Sequence, residues 1–171
     1  MKNLKKTSVF LVDDDPIFLK VFETQFKEQT PFEIKTFSTG EECLKNLPQK
    51  PDIIFLDYFL NTANPKNNNG LQILDKIKSA DSAIPVVILS SQEQIEVAVN
   101  CMKHNALDYI VKSEVSFIRA QKAITVLINQ KQFEKEFVLY KTSSIILSSL
   151  IAVLILVFLI MLICYPGWMN K

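Results

Sequence analysis

Four apolar residues lead directly into three carboxylates in the segment Val9-Phe10-Leu11-Val12-Asp13-Asp14-Asp15-Pro16. A short apolar run predicts a buried strand, and Pro is favoured at the first position of a helix. In an open α/β sheet, ligands bind outside the carboxyl ends of the strands, so acids at this point indicate a cation or phosphoryl site. Asp is also a favoured helix N-cap. The segment alone leaves two interpretations open, a ligand site or an acidic turn that caps a helix.

Apolar runs and helical patterns alternate along the first 130 residues. Five repeats of strand and helix are typical of a parallel sheet with helices on both faces. We expect Thr39 to cap the second helix, because Thr is a favoured N-cap. The predicted strands are 8–12, 32–37, 52–56, 85–89 and 108–111, and the predicted helices begin near residues 16, 40, 71, 95 and 114. The expected inward-facing residues are Ile17, Val21, Phe22 and Phe26 on the first helix and Ile118, Ile124, Leu127 and Ile128 on the last.

Polar residues stand where four of these strands end, and a parallel sheet brings such residues to one edge. Crowded carboxylates repel one another unless a hard cation lies among them, and Mg²⁺ prefers a few carboxylates with water and phosphate oxygens. A lysine and a serine opposite them would bind the oxygens of a phosphoryl group on one of the aspartates. These residues are Asp13 and Asp14 after the first strand, Asp57 after the third, Ser90 after the fourth and Lys112 after the fifth.

Residues 7–130 resemble the receiver domain of bacterial two-component response regulators. The resemblance implies a doubly wound, flavodoxin-like α/β fold whose five parallel strands have the order 2-1-3-4-5. The matching motifs are Phe10-Leu11-Val12-Asp13-Asp14-Asp15-Pro16, Pro51-Asp52-Ile53-Ile54-Phe55-Leu56-Asp57, Ile84-Pro85-Val86-Val87-Ile88-Leu89-Ser90-Ser91 and Ala106-Leu107-Asp108-Tyr109-Ile110-Val111-Lys112.

The resemblance also implies roles for individual residues. Asp57 would accept a phosphoryl group from a histidine kinase or a phosphotransfer protein. Asp14 and Asp57 would bind Mg²⁺ directly with the backbone carbonyl of Phe59 as a third ligand, and Asp13 would act through a bound water. Lys112 would contact the phosphoryl oxygens. Catalysis would be limited to phosphorylation and dephosphorylation of the chain itself, so the protein would not otherwise be an enzyme.

Ser90 and Tyr109 stand at the positions that form the family's conformational switch. The Ser90 hydroxyl would move toward the phosphoryl oxygen and Tyr109 would turn inward with it. This movement would remodel the face of the fourth helix, fifth strand and fifth helix, through which a homodimer could form. The alternative for Tyr109 is an ordinary half-buried aromatic residue of a strand.

Two departures from the family pattern stand near the site. Asn61 replaces a usual proline and begins a loop of 61–69 that is about five residues longer than usual, with Gly70 after it. Ser113 replaces the proline that usually follows Lys112, which leaves open whether that peptide bond is cis. These departures allow an alternative function, a docking scaffold at the membrane that keeps the receiver fold without phosphorylation.

The composition changes sharply near the C-terminus. No charged residue stands between Lys141 and Lys171, and residues 145–165 are apolar apart from two serines. As a helix these residues would reach about 31 Å, the thickness of the hydrocarbon core of a bilayer. More lysines precede this segment than follow it, so the positive-inside rule places the receiver in the cytoplasm. We expect a single-pass protein of the bacterial inner membrane with a receiver domain at 1–130, a helical stalk at 131–142, a transmembrane helix at 143–165 and an extracytoplasmic tail at 166–171.

The charge balance bears on the partners. The sequence has 19 basic and 18 acidic residues, so without Lys171 the remainder carries 18 of each. A neutral balance lacks the basic surface of nucleic-acid-binding domains. Three widely spaced cysteines form neither a metal cluster nor a disulfide framework. We therefore expect a membrane-anchored single-domain response regulator that signals through partner binding or dimerisation and not through DNA.

Overall fold

Five parallel strands form one sheet in the order β2-β1-β3-β4-β5, as the resemblance implied. The computed structural model describes residues 6–29, 32–60 and 70–164. The strands are β1 (Ser8–Val12), β2 (Glu33–Phe37), β3 (Ile53–Asp57), β4 (Val86–Ser90) and β5 (Asp108–Val111). The helices are α1 (Pro16–Gln29), α2 (Gly40–Asn46), α3 (Gly70–Ala80), α4 (Ile95–Lys103) and α5 (Ser116–Cys164), and a short 3-10 helix spans Leu47–Gln49.

The central strands explain why the apolar runs are continuous. Every residue of β3 and β4 is buried, because helices cover a parallel sheet on both faces. Both strands lie one residue further along the chain than predicted. Asp57 and Ser90 are therefore the last residues of β3 and β4, and strand pairing extends to them through the Asp57↔Leu89 and Ser90↔Val111 registers.

Side-chain caps fix where two helices begin. The Asp15 carboxylate accepts hydrogen bonds from the backbone N–H groups of Ile17 and Phe18 at 2.8 and 3.2 Å. The Thr39 hydroxyl accepts one from the N–H of Glu42 at 3.2 Å, which confirms the predicted cap of α2. These bonds satisfy N–H groups that lack partners within the first turn of a helix.

An aromatic cluster on α1 decides which face of that helix is buried. Phe22 and Phe26 are buried as predicted, but Ile17 and Val21 are exposed, so their prediction was wrong. The Phe22 and Phe26 rings lie 4.9 Å apart and both contact Phe117 of α5, at 6.0 and 4.7 Å between centroids. Large rings at i and i+4 bury more apolar area than the aliphatic side chains beside them, so they face the sheet.

The inward face of α5 also differs from the prediction. Ile118 is exposed, whereas Phe117, Ala120 and Ile124 are buried. These three follow the i, i+3, i+7 spacing of one helix face, and Ile118 lies on the neighbouring face. Leu127, which was predicted to face inward, is partly buried, as is Ile128.

The chain divides into two compact units, one up to Ile124 and one from Thr125 onward. The second unit contains most of α5, which is a single continuous helix of 49 residues. Within the described residues, α5 is the one helix long and apolar enough to cross a membrane, judged by its length and composition. The long loop at 61–69 and the predicted tail at 166–171 lie outside the described residues.

Candidate functional site

Three carboxylates meet at the carboxyl ends of β1 and β3. Asp13 and Asp57 are buried and Asp14 is half-buried. One carboxylate oxygen from each residue lies within 4.8 Å of those of the other two. The sheet order places β1 next to β3, so strand ends that are far apart in the sequence bring these side chains together. The predicted convergence of the acids is therefore present in the structure.

Lys112 provides the positive charge of the site from the end of β5. Its Nζ lies 2.6 Å from Asp13 Oδ2 and 3.0 Å from Asp57 Oδ1. The backbone N–H of Lys112 donates to the carbonyl of Ser90 at 2.7 Å, which fixes the lysine against β4. The peptide bond between Lys112 and Ser113 is trans. The ammonium group thus bridges the two buried carboxylates without a cis bond at Ser113.

Phe18 is a contact of the site that the sequence analysis missed. Lys112 Nζ lies 4.6 Å from the centroid of the Phe18 ring, a cation–π distance. Phe18 stands four residues before Phe22 on α1, and their rings lie 5.3 Å apart. This i, i+4 spacing directly after the acidic segment was the available signal. Phe18 therefore links the charged site to the aromatic cluster.

The pKa values of both buried acids and of the lysine are raised, but by different causes. Burial raises the pKa of Asp57 to about 6, and the charge of Asp13 adds to this effect. Burial also raises the pKa of Asp13 despite its contact with Lys112. Burial alone would lower the pKa of Lys112, but Asp13 and Asp57 hold it above its usual value. Burial thus disfavours the charged form of both acids, and the single lysine is shared between two carboxylates.

The donor set fits a small hard cation. Asp13 Oδ2 is buried and forms a close ion pair with the ammonium of Lys112. Three carboxylate oxygens within a few ångströms are the ligands that Mg²⁺ prefers, with water completing its coordination. A divalent cation would offset the negative charge of these carboxylates.

The two interpretations of the acidic segment apply to different residues. Asp15 lies outside the acidic cluster and caps α1 through the N–H groups of Ile17 and Phe18. The backbone N–H of Asp15 donates to Asp13 Oδ1 at 3.0 Å, which holds the Asp13 carboxylate in position. The helix cap therefore supports the geometry of the acidic cluster.

Ser90 and Tyr109 are joined through the backbone of one residue, Gln92. The Gln92 N–H donates to the Ser90 hydroxyl oxygen at 3.1 Å, and the Tyr109 hydroxyl donates to the Gln92 carbonyl at 2.7 Å. Ser90 is fully buried and Tyr109 is 9% exposed, so the ring already points inward. Gln92 contributes only backbone atoms, for which the sequence contains no signal.

Gly70 packs against the backbone at the end of β3. Its N–H donates to the carbonyl of Tyr58 at 2.8 Å. A Cβ at this position would overlap the backbone carbonyl of Asp57, so the close approach requires glycine. The backbone of Phe59 lowers the pKa of the Asp57 carboxyl and so offsets part of the effect of burial. The start of α3 therefore packs directly on the backbone that carries Asp57.

Residues 9–125 match the family described as the response regulator receiver domain. The chain belongs to this family. The match includes the three clustered aspartates, Ser90, Tyr109 and Lys112, and the sheet order is that of the CheY-like fold.

Relatives of the receiver are parts of longer proteins. A putative NtrX-like response regulator of Rickettsia felis is 33% identical over 110 residues, which are 64% of this chain and 22% of that protein. The nitrogen assimilation regulatory protein NtrX of Azorhizobium caulinodans is 30% identical over 105 residues, 61% of this chain and 22% of that protein. The chain thus spans about a fifth of the length of these relatives.

Solved structures show the same fold. The signal receiver domain of a putative Luxo repressor protein from Vibrio parahaemolyticus superposes with a TM-score of 0.65 at 23% identity, covering 76% of this chain and 95% of that one. The CheX-CheY-BeF3-Mg+2 complex from Borrelia burgdorferi gives a TM-score of 0.60 at 27% identity, covering 70% of this chain and 87% of that one. Both coverages agree with a receiver that ends before the long apolar part of α5.

Proposed function

We propose that the receiver accepts a phosphoryl group on Asp57 from a histidine kinase or a phosphotransfer protein. The observation that carries this proposal is the buried Asp57 carboxylate between the Lys112 ammonium, 3.0 Å away, and the carboxylates of Asp13 and Asp14. A buried acid with a raised pKa beside a lysine at the end of a strand marks a functional site more often than a structural ion pair.

Each charged group would have its own task in the transfer. A carboxylate oxygen of Asp57 attacks phosphorus while the bond from phosphorus to the donor histidine nitrogen breaks, and the electron pair leaves with the imidazole. Lys112 stays beside the new acyl phosphate, where it offsets the charge on the phosphoryl oxygens. Phosphoryl transfer depends chiefly on such positioning and charge neutralisation.

Asp14, Asp57 and the backbone carbonyl of Phe59 would hold Mg²⁺, and Asp13 would act through a bound water. The bound cation supplies neutralisation of charge on the transferring phosphoryl oxygens. The cluster of three carboxylate oxygens supports this assignment. The Borrelia burgdorferi structure is a complex of a CheY protein with CheX, BeF3 and Mg+2, which agrees with the proposal for this chain.

The hydrogen bonds around Gln92 support a role of Ser90 and Tyr109 in signalling. Movement of the Ser90 hydroxyl toward a phosphoryl oxygen would break its bond with the Gln92 N–H. The Gln92 carbonyl, which accepts from Tyr109, would then move as well. Phosphorylation would in this way alter the face formed by α4, β5 and the start of α5, to which a partner or a second receiver would bind.

The long apolar helix supports anchoring of the receiver to the bacterial inner membrane, with the receiver in the cytoplasm. Residues 143–165 would form the span, residues 131–142 the stalk and residues 166–171 the external tail. The signal would pass to a protein partner or through dimerisation and not to DNA, since the soluble residues carry balanced charge. Its own phosphorylation and dephosphorylation would be its only catalysis.

Labelling with a small-molecule phosphodonor tests the acceptor role. We expect Mg²⁺-dependent incorporation of phosphate into the full chain in detergent micelles, and its loss in Asp57→Asn. Asp108→Asn is the matched control. Asp108 is the first residue of β5, whereas Lys112 follows the last, so this variant should still be labelled. Absence of labelling in the unchanged protein would instead favour the alternative function, a phosphorylation-independent docking scaffold at the membrane.

Membrane fractionation tests the anchor separately. The full chain should sediment with bacterial membranes and resist extraction with alkaline carbonate, because its apolar helix would lie in the lipid. A chain that ends at Lys141 should remain in the supernatant. Sedimentation of both forms to the same extent would contradict the proposed span.

A further inference from the structure

The segment of α5 that precedes the apolar span carries an unusual row of exposed aromatic residues. Phe133, Phe137 and Tyr140 are 71%, 67% and 75% exposed. Their spacing of four and then three residues places them on one face of the helix. We call these three residues the aromatic strip, and Glu134 and Glu136 flank it. Three large rings held in water on one side of a charged helix indicate a surface that is covered in the working protein.

The aromatic face continues along the helix without a change of phase. Alternating steps of four and three residues from Phe133 reach Ser144 and then apolar residues as far as Met161, all within the continuous helix α5. This is the seven-residue spacing of the core positions of a two-helix coiled coil, and Ser144 is the one polar residue among these positions. The positions after Tyr140 are Ser144, Leu147, Ile151, Leu154, Phe158 and Met161.

Charges beside the aromatic strip distinguish a second copy from other occupants. We call the row of core positions from Phe133 to Met161 the seam. With Phe137 at the first core position of a heptad, Glu136 and Lys141 occupy the two flanking positions on opposite sides of the seam. In a parallel pair of helices, these two positions face each other across the interface five residues apart. Within one helix they lie about 140° apart, too far around the axis to pair. Both side chains are exposed.

We propose that α5 is the interface of a parallel homodimer, in which a second copy packs along Phe133, Phe137 and Tyr140. Glu136 of each copy then pairs with the partner's Lys141. Ser144 is the one polar residue of the seam on the C-terminal side of the aromatic strip. Serine side chains form hydrogen bonds between helices in membranes. The parallel orientation rests on the membrane anchor proposed above, because a shared topology aligns both helices in the same direction.

This dimer would form whether or not Asp57 is phosphorylated. Two receivers tethered to paired helices have a high effective concentration for each other. Weak contacts between phosphorylated receivers would then suffice for signalling. The interface of α5 and the predicted receiver face are therefore separate surfaces, and only the receiver face depends on Asp57.

Cysteine cross-linking tests the seam. Phe137→Cys and Val138→Cys are a matched pair, because both parent residues are exposed, at 67% and 61%, but only position 137 lies in the seam. Both variants carry Cys164→Ser, and Cys43 and Cys101 are fully buried. In whole bacterial lysates treated with copper phenanthroline, we expect about five times more disulfide dimer for Phe137→Cys than for Val138→Cys. Equal amounts would overturn the proposal.

Charge reversal tests the register. In the Phe137→Cys background, Glu136→Lys places like charges opposite the partner's Lys141 and should reduce the cross-linked dimer several-fold. Adding Lys141→Glu should restore it, since the pair is then reversed. Failure of the double reversal to restore the dimer, with the single reversal reducing it, would exclude the proposed register.

Sedimentation of the same samples separates this inference from the anchor. Membrane-bound protein without selective cross-linking overturns the dimer alone and would mean that lipid or another membrane protein covers the aromatic strip. Selective cross-linking of protein that does not sediment with membranes would contradict the anchor and leave the paired helices supported.

Discussion

The surroundings of Asp57 disfavour the ionised form of its carboxyl group unless a cation binds beside it. The residue is 3% exposed, and burial and the Asp13 charge raise its pKa to about 6. Lys112 offsets part of this cost but is shared with Asp13. A carboxylate that is unstable alone gains most from a cation or a transferred phosphoryl group, so local instability and reactivity have the same cause.

Replacement of Asp57 by Asn should therefore stabilise the receiver without Mg²⁺. The native state of the unchanged protein binds a proton at Asp57 more tightly than the unfolded state, because the pKa rises from 3.8 to about 6. Its stability must fall as the pH rises through this window and level off above it. We expect Asp57→Asn to match the parent protein near pH 4 and to be about 1–3 kcal/mol more stable near pH 8.

Urea unfolding in EDTA at several pH values measures this difference. Asp108→Asn is again the control for removal of a carboxylate, since Asp108 lies outside the acidic cluster. A constant difference between Asp57→Asn and the parent protein at all pH values would contradict the raised pKa.

The hydroxyl of Tyr109 gives a second prediction for a single residue. Tyr109→Phe removes the bond to the Gln92 carbonyl and leaves the buried ring in place. We expect a loss of about 1 kcal/mol in the free energy of unfolding, the usual value for one such bond. Ser90→Ala removes the other bond to Gln92, so the double variant should lose less than the sum of both. Strict additivity in urea unfolding would show that Gln92 does not couple them.

At the level of elements, sequence periodicity predicted the number of strands and helices and their succession along the chain. It did not predict which face of every helix is buried. α1 contains two neighbouring apolar rows, and the packing of rings on the sheet, which the sequence does not reveal, selected Phe22 and Phe26 over Ile17 and Val21. The predicted strands end one residue before Asp57 and Ser90. Pairing with neighbouring strands extends β3 and β4 to include them.

The junction of β3 and α3 yields a prediction about an element boundary. In Gly70→Ala, the new methyl group would overlap the backbone carbonyl of Asp57, which cannot move without displacing the site. We expect a loss of more than about 2 kcal/mol in stability together with reduced phosphorylation of Asp57. Urea unfolding and phosphodonor labelling of the same preparation measure both effects.

Gly40→Ala is the matched control at the first residue of α2. Its methyl group would overlap the buried side chain of Ile73 and not the backbone of Asp57. Stability should fall here as well, but labelling should be retained, because the overlap does not involve the residue that carries the acceptor carboxylate. Equal labelling of Gly70→Ala and Gly40→Ala would contradict a link between the start of α3 and the acceptor residue.

Across the whole molecule, the two compact units differ in how their apolar side chains are covered. The first unit buries a core of apolar side chains around the sheet, whereas the described side chains of α5 in the apolar span are exposed in the isolated chain. A ligand of the acidic cluster should therefore stabilise the first unit and leave the helical span unaffected. The effect of metal binding on stability thus distinguishes the first unit from the second in an experiment.

Mg²⁺ should raise the unfolding temperature of the receiver in the full chain. A ligand at one hundred times its dissociation constant adds about 2.7 kcal/mol to the native state, which corresponds to a shift of several degrees. Asp14→Asn should abolish most of this shift, because it removes a carboxylate of the cluster. Asp15→Asn should preserve it, since Asp15 caps α1 and Asn is an equally good cap. Circular dichroism in detergent micelles, with and without EDTA, measures the shift. Loss of the shift in Asp15→Asn would assign the neighbouring carboxylate to the metal and contradict the division of roles within the acidic segment.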